Sequence, residues 1–122
     1  MSGRRSRDKG KRGELAAARE LSRVLGVPAR RGQQFSGIEG KDVVVGLDGL
    51  HVEVKRTEKL SLYPAVEQAR RDAAADEVPL VLHRRNGKPW LVILELEQLP
   101  ELARLVAAAG QSSTSQPTGV SQ

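Results

Sequence analysis

Three carboxylates and one lysine stand at spacings that could do chemistry: Glu14, Asp42, Glu53 and Lys55. Glu53 and Lys55 belong to the alternating run Leu50-His51-Val52-Glu53-Val54-Lys55. Side chains two apart on a strand leave the same face, roughly 6–7 Å from each other. Asp42 precedes Glu53 across an Asp48–Gly49 pair, a dipeptide that closes hairpins. Pairing the two strands brings Asp42 across from Glu53. Converging acids beside a lysine suit hard-cation phosphate chemistry. Mg²⁺ takes a few carboxylate oxygens and keeps water for the rest of its shell. It neutralises phosphate and lowers the pKa of bound water, and a neighbouring lysine can orient or deprotonate that water. The plainer reading is a solvated strand face, because Glu-x-Lys is common on half-polar strands. The conjunction with Asp42 and Glu14 speaks against it.

The elements that must position these residues can be read from periodicity. Gly13 to Leu25 predicts a helix, with Ala17, Ala18, Leu21, Val24 and Leu25 on one arc and Glu14 near its centre. A first-turn acid complementing the helix dipole would explain Glu14's place along such a helix, but not its direction around it. Gly26 stands where a terminating glycine belongs. A short strand is expected over 27–31, then a glycine-punctuated loop over 32–41. Strands are expected over 42–45 and 50–55, and a helix from Pro64 to about Ala75 with Gln68 at its apolar edge. Two more strands, 80–83 and 90–94, flank Asn86–Gly87, and a last helix covers 97–109. The order α-β-β-β-α-β-β-α predicts an α/β fold with a mixed central sheet of about five strands and helices on its faces.

Composition narrows the function. The chain has 122 residues, no cysteine and two histidines, His51 and His83. Disulfide scaffolds and cysteine-ligated metal sites are therefore excluded. No apolar run approaches the ~20 residues of a membrane span, so no membrane partner is expected and the default compartment is cytoplasmic. The net charge of +5 is localised. Residues 1–12 hold Arg4, Arg5, Arg7, Lys9, Lys11 and Arg12 against Asp8 alone, and the remaining positions balance. Such an arm commonly meets phosphates. Residues 1–10 are expected to be a disordered basic arm, 11–109 a single folded domain, and 110–122 a disordered polar tail. Phe35, Tyr63 and Trp90 are too scattered for a base-stacking platform, and Trp90 is expected to serve packing.

In order along the chain, Lys9-Gly10-Lys11-Arg12-Gly13-Glu14, Arg30-Arg31-Gly32-Gln33-Gln34-Phe35-Ser36-Gly37, Asp42, Glu53-Val54-Lys55 and Glu67-Gln68 resemble the PD-(D/E)xK nuclease superfamily. Within it, the resemblance is to Holliday junction resolvases of the archaeal and phage type, and covers residues 9–95. It departs at Lys41, where the superfamily pattern has proline. The resemblance implies a restriction-endonuclease-like fold and a homodimer that resolves four-way DNA junctions. It implies Mg²⁺, with Mn²⁺ able to substitute, held by Asp42, Glu53, the Val54 carbonyl and Glu14. Lys55 would position the attacking water, and Gln68 would hydrogen-bond near it. Arg4, Arg5, Arg30, Arg31, Gln33, Ser36 and Arg56 would contact DNA. The dimer surface is expected around residues 80–106. Another nuclease of the same fold, nicking branched or duplex DNA, and a non-catalytic DNA-binding protein are the alternatives.

Overall fold

In the computed structural model, backbone is described for residues 2–32 and 42–114, and side chains for 12–32 and 42–110. The elements are α1 (Ser2–Leu25), β1 (Ala29–Arg31), β2 (Val43–Val45), β3 (Leu50–Lys55), α2 (Leu62–Asp72), β4 (Val78–His83), β5 (Leu91–Ile93), a 3-10 turn (Leu96–Gln98) and α3 (Leu99–Thr114). The five strands form one sheet in the order β1-β2-β3-β4-β5. β3 and β4 are parallel, and every other neighbouring pair is antiparallel. The mixed five-stranded sheet and the α-β-β-β-α-β-β-α order are those expected from the sequence.

Alternation in β3 decides which helix covers which face. Leu50 and Val52 join Ala17, Ala18 and Leu21 of α1 in the main core, with Leu80 and Leu82 of β4. On the other face, Val81 packs against Ala65 and Ala69 of α2. β4 is buried along its whole length, as a strand with helices on both faces must be.

β4 starts at Val78, two residues earlier than the spacing predicts, and includes Pro79. The Val78 N–H donates to the Gly49 carbonyl on the β3 side, 2.7 Å away. Donors alternate along a strand, so Pro79 would have pointed its own N–H toward β5. β5 pairs only with residues 81–83 of β4, so the missing donor breaks no ladder bond. α2 ends at Asp72 rather than near Ala75, because Ala73 is extended.

The two ends of the chain differ most from expectation. α1 begins at Ser2, so residues 2–10, expected as a disordered arm, are helical. Arginine and lysine are good helix formers, and no proline interrupts the stretch. Likewise α3 runs through Gly110 to Thr114, where the polar tail was expected to begin. A helix interior tolerates a single glycine for about 1 kcal/mol. Met1 and residues 115–122 lie outside the described residues.

Gly26 has φ +73°, and its N–H donates to the Ser22 carbonyl at 2.9 Å. It ends α1 in the left-handed conformation that favours glycine. Gly13 serves another purpose, since a Cβ there would lie 2.7 Å from Arg56 Cγ. Glycine lets α1 approach the segment that follows β3.

Candidate active site

β3 delivers Glu53 and Lys55 to the α2 side of the sheet. The Lys55 Nζ donates to Gln68 Oε1 of α2 at 3.0 Å. Glu53 is buried, and its Oε2 lies 2.6 Å from His51 Nε2. When Glu53 is ionised, the imidazole N–H is the donor. His51 Nδ1 faces Glu77 Oε1 at 3.9 Å. His51 thus fixes the rotamer of Glu53 from the same strand face, as their alternation requires.

Asp42 sits at the mouth of β2. Its N–H donates to the Val52 carbonyl at 3.1 Å, and its carbonyl accepts from the Gly32 N–H at 2.8 Å. Its side chain reaches across β3, where Oδ2 accepts the Val54 N–H at 2.8 Å. The hairpin therefore brings Asp42 beside the Glu53-Val54-Lys55 segment.

Glu14 lies far from the start of its helix. Since α1 begins at Ser2, Glu14 is about three turns in. The dipole of a helix end falls off within its first turn, so the first-turn explanation of Glu14 does not hold. Its position at the centre of the apolar arc instead aims it at the sheet. There its Oε1 meets Arg31 Nε of β1 at 2.8 Å, half-buried.

The three acids feel one another. Burial pushes the Glu14 carboxyl above the usual carboxylate range, the charge of Asp42 adds to this, and Arg31 opposes it. Burial likewise raises Glu53, with Asp42 and Asp72 adding to the shift and the His51 hydrogen bond opposing it. Arg31, the Val54 amide and His51 each answer one carboxylate. A charge at Asp42 that helps to raise both Glu14 and Glu53 is electrostatic preparation for a cation.

Among the described residues, one group of three donors converges within 4.8 Å: His51, Glu53 and Asp72. Glu53 is therefore common to that group and to the acids expected from the sequence. Asp72 was missed by sequence reasoning. Its signal was available, because it follows Gln68 by four residues and so shares that helix's face toward β3. In the sequence, His51 is marked only by sharing the strand face of Glu53 and Lys55.

The remaining expected residues divide. Arg30 is exposed on β1, with Nη1 donating to the Arg31 carbonyl at 3.2 Å. Arg31 is engaged by Glu14. Arg56 follows β3, with Nη2 donating to Asn86 Oδ1 at 2.9 Å. The backbone of Arg4 and Arg5 lies in α1, and their side chains lie outside the described residues. Gln33, Ser36 and Lys41 also lie outside them.

No family model matches this chain, and no curated protein matches it in sequence. A solved structure does. The chain is similar to Archaeoglobus fulgidus Hjc, a Holliday junction resolvase from an archaeal hyperthermophile, at 26% identity and a TM-score of 0.54. The match covers 70% of this chain and 72% of that one. The expected likeness is thus met in three dimensions: the fold is restriction-endonuclease-like α/β, similar to that of an archaeal Holliday junction resolvase.

Proposed function

We propose that the protein is a divalent-metal-dependent endonuclease that resolves four-way DNA junctions by paired phosphodiester hydrolysis. The observation that carries this reading is Asp42 held against the Glu53-Val54-Lys55 strand through the Val54 N–H, with Lys55 held by Gln68. The likeness to an archaeal junction resolvase supports the same substrate.

The donor set fits a hard cation. It offers carboxylates and a backbone carbonyl, and burial leaves Glu53 and Glu14 reluctant to hold their charge without a counter-ion. Asp42, Glu53 and the Val54 carbonyl would hold Mg²⁺ or Mn²⁺, with Glu14 completing the site. When bound, the ion supplies charge neutralisation at phosphate and acidifies water.

The chain's own residues do the rest. Lys55 orients the attacking water, and the Gln68 oxygen keeps its ammonium in place. The water oxygen bonds to phosphorus as the P–O3′ bond breaks, and one water proton ends on the departing 3′ oxygen. The products are a 5′-phosphate and a 3′-hydroxyl. His51 holds Glu53 in its rotamer. Arg4, Arg5, Arg30 and Arg56 supply phosphate contacts, and Gln33 and Ser36 belong to the same expectation. Arg31 acts through Glu14, positioning it.

Resolution takes two matched cuts, and a two-fold dimer offers two identical sites to a two-fold substrate. The exposed side chains of Leu62 (42%), Tyr63 (76%) and Leu96 (81%) line one groove beside β5. That apolar face supports self-association there.

The test is cleavage of a labelled mobile four-way junction in Mg²⁺, beside a linear duplex of the same sequence. Paired cuts in the junction and an intact duplex are expected. Equal cleavage of both substrates would make the protein a general nuclease of this fold.

A further inference from the structure

A second concave surface lies on the α1 side of the sheet, between α1 and the β4–β5 hairpin. Its volume is about 650 Å³, within the roughly 300–1,000 Å³ of small-molecule sites. Its walls are apolar, formed by Leu21, Val24, Leu82, Pro89, Trp90 and Val92. Its rim is basic, with Arg19, Arg23, Arg84 and Lys88 against Glu20 alone.

Glu20 is occupied by Arg23, which donates to it at 2.9 Å. Arg19 and Lys88 are exposed, and neither has an acidic partner among the described residues. Trp90 packs against the main core, as the sequence suggested. Its buried Nε1, however, has no acceptor among the described residues, a state that proteins generally avoid.

Through Arg84, the cleft adjoins the strand end that carries Lys55. The Arg84 N–H donates to the Lys55 carbonyl at 3.2 Å. Arg56, next in the chain, places its guanidinium 5.9 Å from the Trp90 ring centre.

Apolar walls beneath a rim of net positive charge complement a ligand with a flat apolar part and an anionic part. We propose that this cleft binds an unpaired nucleotide of a DNA strand, its base against Pro89 and Trp90 and its phosphates on Arg19, Arg84 and Lys88. The inference rests on the reading that the protein acts on DNA. Charge complementarity selects this occupant over an apolar segment of a second copy, which would leave the basic rim unanswered. Stacking on a tryptophan accepts any base, so the subsite reads the absence of pairing rather than sequence. It would hold a base released where strands exchange.

Trp90 is the chain's one tryptophan, so its emission reports the cleft. The full chain, in chelator and low salt, is titrated with a short oligothymidylate. Inorganic phosphate and a blunt duplex are run in parallel. A saturable change with the oligothymidylate is expected, with little response to phosphate or duplex. The double variant Arg19→Glu, Lys88→Glu should weaken oligothymidylate binding at least about tenfold and lower the log–log salt slope by roughly 1.4, two contacts at ~0.7 each. Lys88→Ala alone should lose about half that slope.

No saturable change, or an equal change in the double variant, overturns the proposal. An emission change that follows protein concentration without DNA assigns the cleft to a second copy and also overturns it. The titration involves no cleavage, so the two readings separate. Cleavage without the emission response removes the cleft alone. The response without cleavage leaves the cleft standing and removes the nuclease reading.

Discussion

Glu14 carries its charge against burial and Asp42, with Arg31 as its support. Its raised pKa means that the folded protein holds this proton more tightly than the unfolded chain does. The stability so contributed is present below the ordinary glutamate pKa of about 4.3 and is lost as pH rises through the higher folded value. Glu14→Gln removes that loss. In chelator, the variant's melting temperature should gain on the wild type's as pH rises from about 4 to 7, while cleavage in Mg²⁺ falls sharply. A variant that melts lower at neutral pH and cleaves normally would leave Glu14 as a partner for Arg31 only. Gln68 poses a gentler test, because it touches Lys55 through one hydrogen bond at 3.0 Å. Gln68→Ala should lower the single-turnover rate about tenfold and change stability by less than ~0.5 kcal/mol, since the residue is not in the core. Lys55→Ala should cost about a hundredfold or more, the scale of a lost proton-handling group. Equal rates for the Gln68 variant and wild type would show that Lys55 needs no holding.

Helix ends, rather than strands, separate expectation from structure. The strands were legible because short apolar runs, alternating in β3 and continuous in β2, β4 and β5, are joined by Asp48–Gly49 and Asn86–Gly87. Asp42, Glu53 and Lys55 were legible for the same reason, since register across a short hairpin follows from its turn. Asp72 was legible only through Gln68, four residues earlier on the same face of α2, and its place beside Glu53 needed the structure. The extent of α1 was hidden because residues 1–10 read as a charged, disordered arm, although α1 passes through them from Ser2. Two glycines in helices now make opposite predictions. At Gly110 an added Cβ meets nothing within 4 Å, so Gly110→Ala should stabilise α3, by about 0.5–1 kcal/mol. At Gly13 the added Cβ would lie 2.7 Å from Arg56 Cγ, so Gly13→Ala should forfeit that gain and weaken DNA binding by displacing Arg56. Chemical denaturation of both variants checks the pair. A Gly13→Ala protein stabilised like Gly110→Ala would mean that α1 and Arg56 do not meet closely.

At the scale of the molecule, the sheet separates its tasks by face and by end. α2 covers the face with Glu53 and Lys55, α1 covers the core face, and an apolar groove beside β5 stays exposed, the surface proposed for self-association. Leu96 is the most exposed of that groove's large apolar residues. Leu96→Asp should therefore shift the protein toward monomer in light scattering and turn paired junction cuts into single nicks, with the melting temperature little changed. An unchanged molecular mass would remove this groove as a self-association surface. The central claim is that Asp42 and its neighbours form a hydrolytic metal site rather than a structural acid cluster. The most direct measurement is the single-turnover cleavage of a four-way junction in Mg²⁺ by wild type and Asp42→Asn, with junction binding followed in the same samples. The account predicts equal binding and a loss of rate by orders of magnitude, because basic residues carry binding while the acid holds the ion. Cleavage by Asp42→Asn at the wild-type rate would contradict it.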